Sequence, residues 1–197
     1  MVGDVVMKVI TLKSEKELRI YSLPLRQKIL REMQLLGHPV TAKEVAGRLN
    51  ITPSAAQHHL KQLMSISLVE HDHMEVIRGI QAHYLRLADV TVSIGQQYKD
   101  TLAPMRDEMV KAGLMTALNG FMHTVERNRE TLKPENMHGL NDILTGIVHL
   151  TPKEADDFYQ FVIGFLNSHT VAGPDTKPWE VALLAYRMDI AQEEEKP

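Results

Sequence analysis

At 197 residues the chain can hold one large or two small cores, and its 44% hydrophobic and 24% charged content is ordinary for a soluble globular protein. It has no cysteine, which excludes disulfides and thiolate metal sites, and it has no apolar run long enough to cross a bilayer. The net charge of −3 is unevenly placed: residues 13–87 carry 11 Lys+Arg against 7 Asp+Glu, and residues 88–197 carry 10 against 17.

The opening MVGDVVMKVITL is too short and too interrupted by Asp4 and Lys8 for a signal peptide, so a cytoplasmic protein is expected. Val5 to Leu12 is β-branched and apolar and reads as a short strand or extended arm. A helix follows from Ser14, a cap with Glu17 three residues on. Pro24 opens a second helix with Leu25, Ile29, Leu30, Met33 and Leu36 on one face, closed by Gly37 before the His38-Pro39 loop.

Residues 41–63 read as two short helices joined by a tight turn. Thr41 can cap the first, with Glu44 at the capping-box position, and Val45 and Leu49 give it an apolar face. Asn50 suits a left-handed turn residue. Thr52 or Ser54 caps the second helix, and Pro53 is comfortable in its first turn, where its missing N–H is no loss. Ala56, Leu60 and Leu63 form the inward stripe of that helix, while Ser54, Gln57, His58 and Lys61 face outward. A helix with an apolar back and a hydrogen-bonding, cationic front fits a DNA major groove. A plain helical hairpin is the simpler reading of the same pattern.

Strand character around Leu68–Glu70 and again around Ala82–Leu87, with Arg78-Gly79 between, predicts a β-hairpin whose tip can reach phosphate or a minor groove. Strand alternation would put His71 and His73 on one face near His83, a conceivable ligand set. Exposed imidazoles on a hairpin are the simpler reading, and no metal or other cofactor is assigned.

Taken together, residues 20–87 resemble the winged helix-turn-helix of ArsR-type transcription regulators. The likeness lies in Leu23-Pro24-Leu25-Arg26 with Ile29-Leu30, in Thr41 through Ala46, and in Ser54-Ala55-Ala56 with His59-Leu60 and Leu63. Leu68-Val69-Glu70 and Arg78-Gly79-Ile80 with Tyr84 complete it. The resemblance implies that Thr52 to Met64 is the recognition helix, that Arg78 lies on the wing, that His59 packs and hydrogen-bonds inside, and that the protein is a homodimer. Two features depart from the pattern. The cysteines through which many members sense metals are absent, and Ser65-Ile66-Ser67 stands where a glycine-containing turn is usual.

In the second half, DVTVSIG (89–95) should leave the wing in extended form, and a long helix should run from about Gln97 to Glu130, with Pro104 either in its first turns or kinking it. Lys133-Pro134 ends it. A further helix is expected over Glu135 to Leu150, with Leu140, Ile143, Leu144 and Ile147 on its apolar side. Thr151-Pro152-Lys153-Glu154 is a strong start signal for a last helix carrying Ala155, Phe158, Phe161, Val162 and Phe165 toward a core. Trp179 to Met188 fits a helix but also alternates, and here the resemblance, not the pattern, implies a terminal strand. Met105, Met109, Met115 and Met122 could line a ligand pocket, though helix core or a dimer interface suits them better.

The expectation is a mainly α (α+β) chain: residues 1–88 a winged helix-turn-helix DNA-binding domain, residues 89–197 a mostly helical dimerisation or effector domain. It predicts a homodimer on double-stranded DNA, with a small-molecule effector as an optional further ligand. Ser54, Gln57 and His58 should touch bases, and Lys61, Thr52 and Arg78 phosphates, with Thr41 and Ala55 completing the DNA-facing set. No nucleophile–base pair or phosphate-binding glycine loop stands out, so no enzyme is expected. The rival is a winged-helix protein-interaction module that binds no DNA.

Overall fold

Local capping chemistry fixes most of the helix starts. The structure, a computed structural model, describes residues 8–133 and 141–188. Strand β1 (Lys8–Thr11) leads into α1 (Glu15–Ser22), where Ser14 and Glu17 close a complete capping box. Helix α2 (Pro24–Leu36) starts on proline and stops at Gly37, whose φ of 63° is the left-handed conformation that glycine tolerates. Strand β2 (Val40–Thr41) and α3 (Ala42–Leu49) follow. Thr41 Oγ1 accepts the Glu44 N–H, but only this half of the expected capping box forms. Asn50 takes the left-handed turn position at φ 51°, as its short polar side chain permits.

Helix α4 (Pro53–Ser65) is capped by Thr52 Oγ1, which accepts the Ala55 N–H at 3.2 Å. Its far end closes without glycine. Ser67 adopts φ 59°, its N–H reaching Met64 O at 3.0 Å, while Leu68 N–H reaches Leu63 O at 3.1 Å. That is a Schellman pair with serine in the left-handed position where glycine is the common residue.

The wing is β3 (Val69–Ile77) and β4 (Ile80–Leu87), antiparallel, with β2 on the other side of β4. The strands run longer than their sequence signal because Arg78-Gly79 forms a two-residue turn between paired Ile77 and Ile80, both turn residues having positive φ (52° and 80°). This turn matches the right-handed twist of the strands, and asparagine is the favoured residue at the first position. Arg78→Asn is therefore expected to raise the unfolding free energy by up to about 1 kcal/mol. Urea denaturation would show a higher midpoint, and a lower one would contradict the left-handed turn.

Strand β5 (Val90–Ser93) pairs in parallel with β1, so Lys8–Thr11 of the expected Val5–Leu12 segment is a strand, and residues 5–7 lie outside the described residues. The core gathers Leu12, Leu18, Ile20, Ile29, Met33, Val40, Val45, Ala46, Ala56, Leu60, Leu63, Leu68 and Val69 behind α4 and the wing's base.

Helix α5 (Ala103–Thr131) begins later than Gln97, with Pro104 in its first turn as expected. Arg106 explains the start. It is 1% exposed, and its guanidinium grips the Asp100 carboxylate in a fork (Nη1 to Oδ1 2.6 Å, Nη2 to Oδ2 3.1 Å), while Asp100 Oδ1 also accepts the Leu102 N–H at 2.9 Å. Residues 97–102 thereby stay outside the helix, and Leu102, Met105 and Met109 pack on the core.

Three expectations for the second half fail. Residues 141–150 form no helix; the remainder of the expected Glu135–Leu150 helix, 135–140, lies outside the described residues. Asp142 Oδ1 accepts the Ile143 N–H, a local bond that competes with helix, and Gly146 and β-branched Ile147 and Val148 add further cost. Residues 179–188 form no strand, since no described strand pairs with them. Helix α6 (Pro152–Asn167) has its full Thr151–Glu154 capping box but buries no residue, and Phe161 is 71% exposed. Boundaries at Met109/Val110, Leu144/Thr145 and Pro178/Trp179 divide the chain into two compact units. No described helix is long and apolar enough to cross a membrane.

Candidate nucleic-acid interface

Helix α4 presents the face that its spacing foretells. Ala56, Leu60 and Leu63 are buried, while Ser54, Gln57, His58 and Lys61 are exposed along the opposite side. The inward stripe rests on α1, α2, α3 and the start of β3, so the outward side chains stand on a packed support. Thr52 is exposed beside the first turn; its hydroxyl oxygen caps the helix, and the hydroxyl proton is left to donate. The N-terminal turn bearing Thr52 and Ser54 also carries the positive end of the helix dipole. Ala55 and Thr41 are half-buried, and Thr41 is engaged in capping α3.

His59 turns inward, as the resemblance implies, but the implied hydrogen bond does not form at Nδ1. That atom is buried without a partner, as is the neighbouring Arg26 Nε. Arg26 instead donates through Nη1 to Ile20 O at 3.0 Å and Arg19 O at 3.4 Å, tying down the last carbonyls of α1. Burial first, then the charges of Arg26 and His58, hold the His59 imidazole below its ordinary value of 6.5. The unfolded chain therefore binds more protons than the folded one as pH falls through about 6.5, and stability declines there. Stability is fully present above that value and is lost toward the lower folded-state value. His59→Leu is expected to flatten the dependence of melting temperature on pH between about 7 and 5. The depressed carboxyls of Glu17, Glu154 and Asp100 act lower, below their ordinary values of 4.5, 4.5 and 3.8, and do not blur the comparison. An unchanged slope would remove His59 from the account.

The wing is more acidic than its sequence position suggests. Arg86 is held by Glu70, by Asp89 at 3.2 Å and by Asp72 at 3.4 Å, which occupies it within its own sheet. Arg78 stands at the exposed tip. The strand pairing slips between His71 and His73, a bulge at Asp72, so the two histidines fall on opposite faces rather than the same one. His73 stacks on Tyr84 with centroids 4.4 Å apart and meets Asp72 at 2.6 Å, whereas His71 meets His83. Among the described residues no three His, Asp or Glu side chains converge as a metal site. The Arg106–Asp100 fork and the Arg26 anchor were not foreseen, because each joins elements through contacts that carry no sequence period.

No family model matches the chain, and no curated protein matches it. Among solved structures it is similar to the Adhesin competence repressor (AdcR) from Streptococcus pyogenes, with TM-score 0.33, 14% identity, and coverage of 74% of this chain and 80% of that one. A C-terminally His-tagged form of the same repressor gives TM-score 0.31, 18% identity, and coverage of 74% and 81%. A double mutant of Lactococcus lactis ZitR in apo form gives TM-score 0.31, 15% identity, and coverage of 75% and 83%. Likeness of this degree leaves any functional reading to rest on the chain's own residues.

Proposed function

We propose that the chain is a sequence-specific DNA-binding transcriptional regulator of the ArsR type, acting as a homodimer on a pseudo-palindromic operator. The observation that carries this reading is α4: an exposed face of Ser54, Gln57, His58 and Lys61 on a helix pinned from behind by Ala56, Leu60 and Leu63. In the proposal Ser54, Gln57 and His58 meet base edges, while Thr52, Lys61 and Arg78 meet phosphates, flanked by Thr41 and Ala55. Residues 1–88 read the DNA. Residues 89–197 dimerise the protein, with a small effector as an optional regulator. Leu114, Met115, Leu118 and Met122 of α5 and Phe158, Phe161 and Phe165 of α6 are exposed, which supports a second copy as their cover. No catalytic role is proposed.

The acidic wing favours the rival, a winged helix that contacts protein instead, since Glu70, Asp72 and Glu75 would oppose phosphate. Selection of bound fragments from genomic DNA by the full-length protein separates the two. The expected result is enrichment of inverted repeats whose half-site centres lie about 34–36 Å apart, with two chains per fragment. No enrichment, together with no retention on heparin at low salt, would overturn the DNA reading.

A further inference from the structure

The bulge in β3 leaves two imidazoles with facing nitrogens. His71 pairs across the strands with Leu85 and His83 with Met74, which puts both rings on the wing face that continues through Leu85 into the core. His83 Nδ1 lies 3.4 Å from His71 Nε2, with the rings edge to face and centroids 5.6 Å apart. At that distance the two nitrogens make a long N–H···N hydrogen bond in the free protein. Two nitrogens bound at about 2.0–2.1 Å to one tetrahedral cation must lie about 3.3–3.4 Å apart. The separation that holds a shared proton in the free protein is thus also the one that a shared cation requires.

The surroundings narrow the class of ion. Glu70, Asp72 and Glu75 belong to the other face of the wing, with Arg86, His73 and Tyr84, so this face offers no carboxylate among its described residues. Mg²⁺ and Ca²⁺ need oxygen donors and find none. Two imidazole nitrogens, beside the thioether of Met74 on the same face, suit borderline ions. Both histidines are exposed, leaving room for water in the remaining positions.

We infer that His71 and His83 form a two-imidazole binding site for a borderline divalent transition-metal cation, Zn²⁺ or Cu²⁺, completed by water. Binding ties β3 to β4 beside the bulge. The site stands whether or not the chain reads DNA.

Titration of the full-length protein with Zn²⁺ alone and Cu²⁺ alone, against a chromophoric chelator, tests it, with the histidine ring nitrogens followed by NMR. The His71 and His83 resonances should shift together with Zn²⁺ and broaden together with Cu²⁺, and Cu²⁺ should bind more tightly. His71→Ala and His83→Ala should each weaken binding at least about tenfold, the loss that follows removal of even an outer-shell partner. His71→Gln, which keeps a polar side chain on the strand, should lose binding as well. His73→Ala, on the opposite face, should bind like the intact protein. Absence of these shifts in the intact protein, undiminished binding by the His71 and His83 variants, or an equal loss in His73→Ala would overturn the assignment.

Discussion

Leu60→Ala is expected to lower the unfolding free energy by about 3–5 kcal/mol. Leu60 is fully buried in the middle of the inward stripe of α4, among side chains from several elements, and the cavity left by truncation has rigid walls. Against a total of about 5–15 kcal/mol for an ordinary domain, the variant would sit near the threshold of folding. In urea the midpoint should fall at an unchanged slope. DNA affinity should fall with it, because the same leucine holds the outward side chains of α4 in place. Loss of less than about 1 kcal/mol would mean that α4 is not seated on this core. Gln57→Ala, one turn away on the exposed side, should leave stability within about 0.5 kcal/mol.

The division between what the residues announce and what they do not follows the range of the forces involved. Ser14 with Glu17, Thr41, Thr52, and Thr151 with Glu154 cap helices through bonds spanning three residues, so the signal and the structure share one window of sequence. Gly37 and Asn50 stop helices by backbone conformation alone. The exposed and buried faces of α4 follow from its period alone. The wing's course was legible only in part. Its two strands and its tip were readable, but the bulge at Asp72 was not, and a one-residue slip exchanges the faces of every side chain beyond it.

Apolar spacing likewise states that a helix has a greasy side without stating what covers it. Residues 143–147 and α6 both show such spacing. One stretch is unwound, with Leu144 93% exposed, and the other is helical with its phenylalanines exposed. A strong capping box separates them: α6 has one, while 143–147 follows a competing aspartate, Asp142, and contains a glycine. The Arg106–Asp100 fork lies beyond such reasoning, because its six-residue spacing across a turn follows no helix or strand period and its weight depends on the burial of Arg106.

Gln57→Ala is expected to cost about 1–3 kcal/mol of binding on the preferred operator, roughly a 5- to 150-fold loss, and to relax selection at one base position. Gln57 is exposed midway along the outward face of α4, where its amide can both donate to and accept from an adenine edge. Alanine keeps the helix and removes both functions, so the loss belongs to base reading and not to folding. Lys61→Ala provides the contrast. An ammonium against phosphate carries no base information, so its removal should weaken operator and random DNA alike and flatten the slope of log affinity on log salt by about one unit. The pair of variants thus separates reading from adhesion on a single helix face. Equal losses for Gln57→Ala on operator and random DNA would strip it of its reading role. An unchanged salt slope in Lys61→Ala would remove that side chain from the backbone contact, and both results together would leave α4 as a surface for something other than a duplex.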